Sequence, residues 1–174
     1  MDMSVAQRLR MYIDAETSDA ALYRELAKKA PTEADKKLLL EFSEDEHTHA
    51  ETFSRIYRRI TGQTYAPEAK PTVLEGTFAE ILRDRVLDES GDYRKYGIQY
   101  LLAQNSRMLR EAFYRARTDE NVHALRLLDM LSGLWTGPGR PESLSKKPEQ
   151  STAETSKAPE TLFCEAEQSE QAET

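Results

Sequence analysis

Four glutamates and two histidines carry the chemistry open to this chain, and they come as one pattern written twice. Glu16 opens the run Glu16-Thr17-Ser18-Asp19-x3-Tyr23, and thirty residues later Glu46 stands in Asp45-Glu46-x2-His49-Ala50. Glu89 opens Glu89-Ser90-Gly91-Asp92-x3-Tyr96, and thirty-one residues later Glu120 stands in Asp119-Glu120-x2-His123-Ala124. Residues three apart on a helix share a face, so Glu46 and His49 can reach one ion, and so can Glu120 and His123. With the two lone glutamates this makes four carboxylates and two imidazoles, a ligand set for two metal ions inside a four-helix bundle. Carboxylates that converge in a core repel one another and lose their hydration. They persist there only if protonated, paired or metallated. Two divalent cations match four carboxylates in charge, and no Lys or Arg is expected at a neighbouring core position to replace them. Oxygen ligands with imidazole suit Fe(II), Mn(II) or Zn(II), and the lack of thiolate argues against Cu(I) or iron–sulfur clusters.

The residues around this set have two readings each. Asp45 is expected to accept from His123, and Asp119 from His49, across the repeat, because a ligating imidazole normally donates its other nitrogen to a carboxylate. The alternative is a solvent-facing helix position. Asp19 and Asp92, three after the lone glutamates, are either extra or redox-switching ligands or hydrogen-bond acceptors behind the ligands. Tyr23 and Tyr96, two turns from their glutamates, are the candidate catalytic side chains, donating to carboxylates; the alternative is plain core packing. His47 falls off the apolar stripe and is read as a surface residue. Gly91 and Gly97 either permit close helix packing or leave room for a small oxidant.

Four helices must position these groups. The first runs from the capping box Ser4-x-x-Gln7 to about Lys29, before Pro31. Thr32 caps the second, which ends near Ile60 with Gly62 just beyond. A capping box at Thr72-x-x-Glu75 is expected to open the third, and Asn105-Ser106 breaks it from a fourth that ends near Gly133. The core stripes read Leu9, Ile13, Glu16, Ala20, Tyr23, Ala27; Leu39, Phe42, Glu46, His49, Phe53, Ile56, Ile60; Phe78, Leu82, Val86, Glu89, Tyr93, Tyr96, Tyr100; and Leu109, Phe113, Ala116, Glu120, His123, Leu127, Met130, Leu134. All six polar residues sit mid-helix on these stripes. The first and last connections are short, so each helix pair is an antiparallel hairpin, while the middle connection is long enough to cross the bundle.

Composition narrows the rest. The chain has 174 residues, 32% of them charged, and a formal charge of -7. Nucleic acid would ask for a clustered basic surface, which this balance does not supply. The arginines between Arg107 and Arg126 alternate with acidic and apolar residues, as on a solvated helix face. Cys164 is the lone cysteine, so there is no disulfide framework and no Cys-x-x-Cys iron or zinc site. No apolar run approaches a membrane span and no signal pattern opens the chain, so a cytoplasmic location is the default. Residues 1–135 read as the bundle. Residues 136–174, rich in Pro, Ser, Thr, Glu and Gln, read as a disordered tail; its one apolar island, Leu162-Phe163, is either a chance cluster or a short docking motif for a partner.

The doubled motif over roughly residues 5–133 resembles the rubrerythrin branch of the ferritin-like superfamily, all-α proteins built as a four-helix bundle of two antiparallel hairpins. The resemblance implies a centre of two iron ions, with manganese or a mixed iron–manganese pair as variants. It implies an oxidoreductase acting with peroxide or dioxygen. The alternatives are a ferroxidase or iron-handling protein, and a non-enzymatic bundle stabilised by its metals. Rubrerythrins usually carry a rubredoxin domain for electron delivery, and this chain lacks one, so an external electron donor is the expected partner. Neither nucleic acid nor membrane is expected, and homodimer formation stays open.

Overall fold

The computed structural model describes residues 3–68 and 72–134. The tail expected over residues 136–174, with its Leu162-Phe163 island, lies outside the described residues. Four helices account for most of what is described: α1 (Val5–Ala27), α2 (Glu33–Thr61), α3 (Phe78–Leu102) and α4 (Arg107–Leu134). Among the described residues no helix is long and apolar enough to cross a membrane.

The helix ends follow local side-chain chemistry. Ser4 accepts from the Gln7 backbone N–H while the Gln7 side chain takes the Ser4 N–H, so both orphan donors are satisfied. Thr32 caps α2 by accepting from the Asp35 N–H, and Gly62, at φ 73°, ends it in the left-handed conformation. The Ser106 hydroxyl accepts from the Leu109 N–H at the start of α4. The third helix departs from expectation. It begins at Phe78, with Thr77 and Glu80 forming the capping box, and not after Thr72. Gly76 explains this, because its φ of 92° cannot continue a helix from Thr72 into Phe78. Thr77-x-x-Glu80 repeats the Thr-x-x-Glu signal five residues later, on the helical side of that break.

Apolar residues gather at the two ends of the bundle. One cluster joins the start of α1, the end of α2, the end of α3 and the start of α4 through Leu9, Ile13, Phe53, Ile56, Tyr96, Leu109 and Phe113. The other joins the opposite ends through Tyr23, Leu26, Leu39, Phe42, Leu82, Leu127 and Met130. Helices α2 and α3 therefore run in the same direction, and the segment between them has to travel the length of the bundle. Its described parts lie against α1 and the residues just after it. The Tyr65 hydroxyl donates to Asp14 Oδ2 at 2.7 Å and the Glu68 N–H to Asp14 Oδ1 at 3.0 Å. At the far end Lys29 Nζ donates to the Leu74 carbonyl at 3.3 Å. Between the two apolar ends lies a polar layer that holds Glu16, Glu46, His49, Glu89, Glu120 and His123, all buried.

Two stripe positions read differently in three dimensions. Ile60 is 47% exposed, and Tyr57 takes the inward position near the end of α2. On α3, Arg85 is buried beside Val86, which packs half-buried against the apolar cluster.

Two α3 and loop glycines give opposite tests. Gly62→Ala is expected to lower stability by about 1–2 kcal/mol, the cost of a Cβ in the left-handed region. Gly91 is helical and exposed, and a Cβ there meets nothing, so Gly91→Ala is expected to raise stability by about 0.4–1 kcal/mol. Denaturant unfolding of both variants measures the pair; equal shifts would show that the helix end does not depend on Gly62.

Candidate metal centre

Each helix lends the polar layer side chains from its central turns: Glu16 from α1, Glu46 and His49 from α2, Glu89 from α3, Glu120 and His123 from α4. They form two groups. Glu16, Glu46, His49 and Glu120 bring one ligand atom each within 4.8 Å of one another, and so do Glu46, Glu89, Glu120 and His123. Glu46 and Glu120 belong to both. The structure thus brings together all six residues singled out by the doubled motif.

Both imidazoles turn Nδ1 inward and Nε2 outward. His49 Nδ1 lies 3.1 Å from Glu46 and 3.6 Å from both Glu16 and Glu120. His123 Nδ1 lies 3.1 Å from Glu46, 3.4 Å from Glu120 and 3.6 Å from Glu89. On the outer edge His49 Nε2 meets Asp119 at 3.0 Å and His123 Nε2 meets Asp45 at 3.1 Å. This is the exchange across hairpins that the repeat suggests. Both aspartates are also partly exposed, at 44% and 51% of their side chains, so one residue separates each buried imidazole from solvent.

The tyrosines differ from one another. The Tyr23 hydroxyl donates to Glu89 Oε1, on the opposite hairpin. The Tyr96 hydroxyl is buried without a hydrogen bond. Asp19 pairs with Arg85 at 3.1 Å and Asp92 with Lys95 at 2.7 Å, and neither belongs to the two groups. His47 lies on the surface, 3.4 Å from Glu51. Neither helical glycine opens space beside the cluster. A Cβ on Gly91 meets nothing, and one on Gly97 meets the Arg117 side chain at 3.5 Å.

Arg85 corrects the expectation that no cation stands at a neighbouring core position. Its Nη2 lies 2.8 Å from Glu89 Oε1, one helical turn away. Val86 keeps the same 3–4 spacing from Leu82 and Glu89 and packs half-buried on the apolar cluster; Arg85 lies beside it on that face and is the more buried of the two.

Burial and mutual contact set the protonation of the metal-free cluster. Burial, reinforced by the Glu46 carboxylate, pushes the Glu16 and Glu120 carboxyls well above the usual range. Burial also opposes the charge on Glu46 and Glu89, but the adjacent His123 imidazolium, joined by His49 at Glu46, outweighs it. Both stay ionised, Glu89 down to about 2. Burial disfavours the imidazolium forms too, yet Asp119 and the cluster glutamates raise His49 to about 12, and Asp45 with its neighbours raises His123 further. The empty cluster therefore balances two imidazoliums and two carboxylates, with two carboxylic acids. Four carboxylates and two neutral imidazoles would balance two divalent ions equally well. Glu16 Oε1, Glu46 Oε1, Glu120 Oε1 and His123 Nδ1 are buried without a hydrogen bond. Buried polar atoms left without a partner call for one, and the ligand set fits a pair of hard or borderline divalent metals.

Residues 8–82 match the sequence model of the rubrerythrin family. That span is rubrerythrin-like; it carries Glu16 and Glu46-x-x-His49 and ends before Glu89. No curated protein and no solved structure matches the chain.

Two measurements follow from the protonation pattern. Asp19, raised by burial to about 7, and Glu16 and Glu120, also raised, contribute stability that is complete below the ordinary carboxyl range near about pH 4. That contribution is lost as pH rises, for Asp19 through about 7. The His49 contribution, complete below about 6.5, likewise declines above that value. Glu46 and Glu89, depressed, already contribute fully above the carboxyl range. Metal-free protein is therefore expected to melt higher at about pH 5 than at about pH 8, whereas stabilisation by added metal grows over the same interval. Thermal scans of chelator-treated and metal-loaded protein check both signs. Calorimetry in buffers of different ionisation enthalpy should find about four protons released as two divalent ions bind; release near zero would mean that the cluster is already fully ionised when empty.

Proposed function

We propose that the bundle holds two iron ions and works as a non-haem di-iron oxidoreductase, with peroxide or dioxygen as oxidant and an external electron donor. The observation that carries this reading is the pair of four-ligand groups sharing Glu46 and Glu120, each with its own imidazole and its own third carboxylate. Glu46 and Glu120, common to both groups, would help hold both ions. Glu16 and His49 would complete one position, Glu89 and His123 the other. A bound Fe(II) pair supplies two electrons, which with two protons take hydrogen peroxide to two waters.

The chain's own groups prepare that chemistry. Asp119 and Asp45 hold the imidazoles with Nδ1 inward. Tyr23 holds one oxygen of Glu89. Tyr96 keeps a buried hydroxyl free to donate into the layer. Tyr12, Phe53, Tyr96 and Phe113, with ring centroids 5.4–6.0 Å apart, close one end against water. Phe42 lies 4.2 Å from the His123 ring at the other. Electrons would come from a separate donor in this reading.

The half-exposed aspartates favour a second reading, in which Fe(II) is the substrate of a ferroxidase. Each carboxylate lies one imidazole away from the cluster and offers an arriving cation a short route.

Loading with Fe(II) under anaerobic conditions is expected to give two irons per chain. Repeated turnover of peroxide with a reductant supports the first reading; oxidation of Fe(II) by oxygen followed by release of Fe(III) supports the second. A rise in melting temperature with neither reaction would leave the metal a structural part of the bundle. Asp45→Asn and Asp119→Asn are each expected to weaken metal binding by about 10–100-fold. Retention of two tightly held ions by Glu46→Ala and Glu120→Ala would overturn the metal centre itself.

A further inference from the structure

The doubled motif is not symmetrical around its ligands. Glu16 corresponds to Glu89, Asp19 to Asp92 and Tyr23 to Tyr96. The same offset sets Tyr12 opposite Arg85, so α1 carries a ring where α3 carries a guanidinium. Arg85 is buried. Its Nη2 lies 2.8 Å from Glu89 Oε1, its Nη1 lies 3.1 Å from Asp19 and from Asp88, and its Nε donates to the Tyr23 hydroxyl at 3.4 Å. Tyr23 donates to the same Glu89 oxygen. Glu89 Oε1 is therefore bound twice, and Oε2, 3.6 Å from His123 Nδ1, is the oxygen that faces the cluster.

Glu16 stands in the opposite condition. Its Oε2 lies 3.6 Å from His49 Nδ1, and its Oε1 makes no hydrogen bond. The corresponding tyrosine, Tyr96, makes none either. Lys95 is the cation on this side, but it pairs with Asp92 at 2.7 Å and lies over the Tyr96 and Tyr12 rings at 4.5 and 5.5 Å. Its ion pair is with Asp92, and its charge acts on Glu16 and Glu120 only at longer range. One position thus has a carboxylate with both oxygens available. The other has a carboxylate with one oxygen available and a fixed positive charge behind it. Arginine cannot shed that charge, and a nearby like charge weakens cation binding most where water is excluded.

We propose that Arg85 makes the two metal positions inequivalent, so that the Glu16–His49 position fills first and tightly and the Glu89–His123 position fills second and weakly. This rests on the two-metal reading of the cluster. Arg85 acts as a positioning residue, holding Glu89 to a single-oxygen contact and lowering the affinity of the ion beside it. The second position is then the exchangeable one, where an Fe(II) substrate would enter and leave.

The test is a stepwise titration of chelator-stripped full-length protein with Co(II), read by calorimetry, with anomalous diffraction from crystals grown at one equivalent. The expected result is two steps at least about tenfold apart, with the first cobalt between Glu16 and His49. Arg85→Gln should tighten the second step by about tenfold or more and leave the first nearly unchanged. Arg85→Lys should keep most of the gap. Tyr23→Phe, which frees Glu89 Oε1 in part and keeps the charge, should narrow it less than Arg85→Gln and gives an independent reading if that variant does not fold. Two equal steps in the parent protein, first occupancy between Glu89 and His123, or a gap unchanged by both Arg85→Gln and Tyr23→Phe would each overturn the proposal. No cobalt binding at all would instead overturn the two-metal reading on which it rests.

Discussion

Everything in this bundle is arranged around four carboxyl groups taken out of water. An ionised carboxylate in a low-dielectric core is costly, and four together would be prohibitive without compensation. The structure answers with two imidazoles whose inner nitrogens lie 3.1–3.6 Å from the glutamates, with Arg85 on one flank, and with burial that raises the Glu16 and Glu120 carboxyls well above the usual range. The apolar clusters at the two ends act on the same problem. They hold four helices close enough for six side chains to converge, and they keep water from relaxing the repulsion that metal would relieve.

The outward edges of the imidazoles tie this core to the surface. Asp45 and Asp119 come from the residues immediately before Glu46 and Glu120, but each serves the histidine of the other hairpin. The contact therefore does two things. It fixes which nitrogen faces inward, and it locks α2 to α4 across the centre of the bundle. A change at either aspartate would alter the metal site and the hairpin docking together, which is why its effect is best read as a change in metal affinity beside a melting curve.

The doubled motif gives approximate twofold symmetry, and its departures are where individuality enters. Tyr23 bonds Glu89 while Tyr96 is left without a bond; Arg85 has Tyr12 as its counterpart; Phe42, its ring tilted against that of His123, has Ala116 in the corresponding place beside the other hairpin's motif. Duplication of the motif makes two four-residue groups, and side chains one turn away make the surroundings of those groups unlike.

Much of this could be read from the chain alone because helical periodicity converts spacing directly into a face. Glu46 with His49 and Glu120 with His123 needed only the interval of three, and the caps at Ser4, Thr32 and Gly62 needed only the chemistry of helix ends. The crossing of the 62–77 connection was open in the sequence and was decided by the two end clusters, which make α2 and α3 run the same way. The start of α3 was misread because Thr72-x-x-Glu75 and Thr77-x-x-Glu80 are the same local signal, and the backbone at Gly76 chooses between them. Arg85 was passed over because a stripe drawn by residue type prefers Val86, whereas burial follows angular position on the helix and the partners waiting there. The sequence by itself determined the ligand types, their faces and the hairpin repeat, all consequences of local periodicity. The tertiary structure decided which glutamates are shared, which aspartate meets which histidine and where the core cation sits, because those depend on distances between helices far apart in the chain.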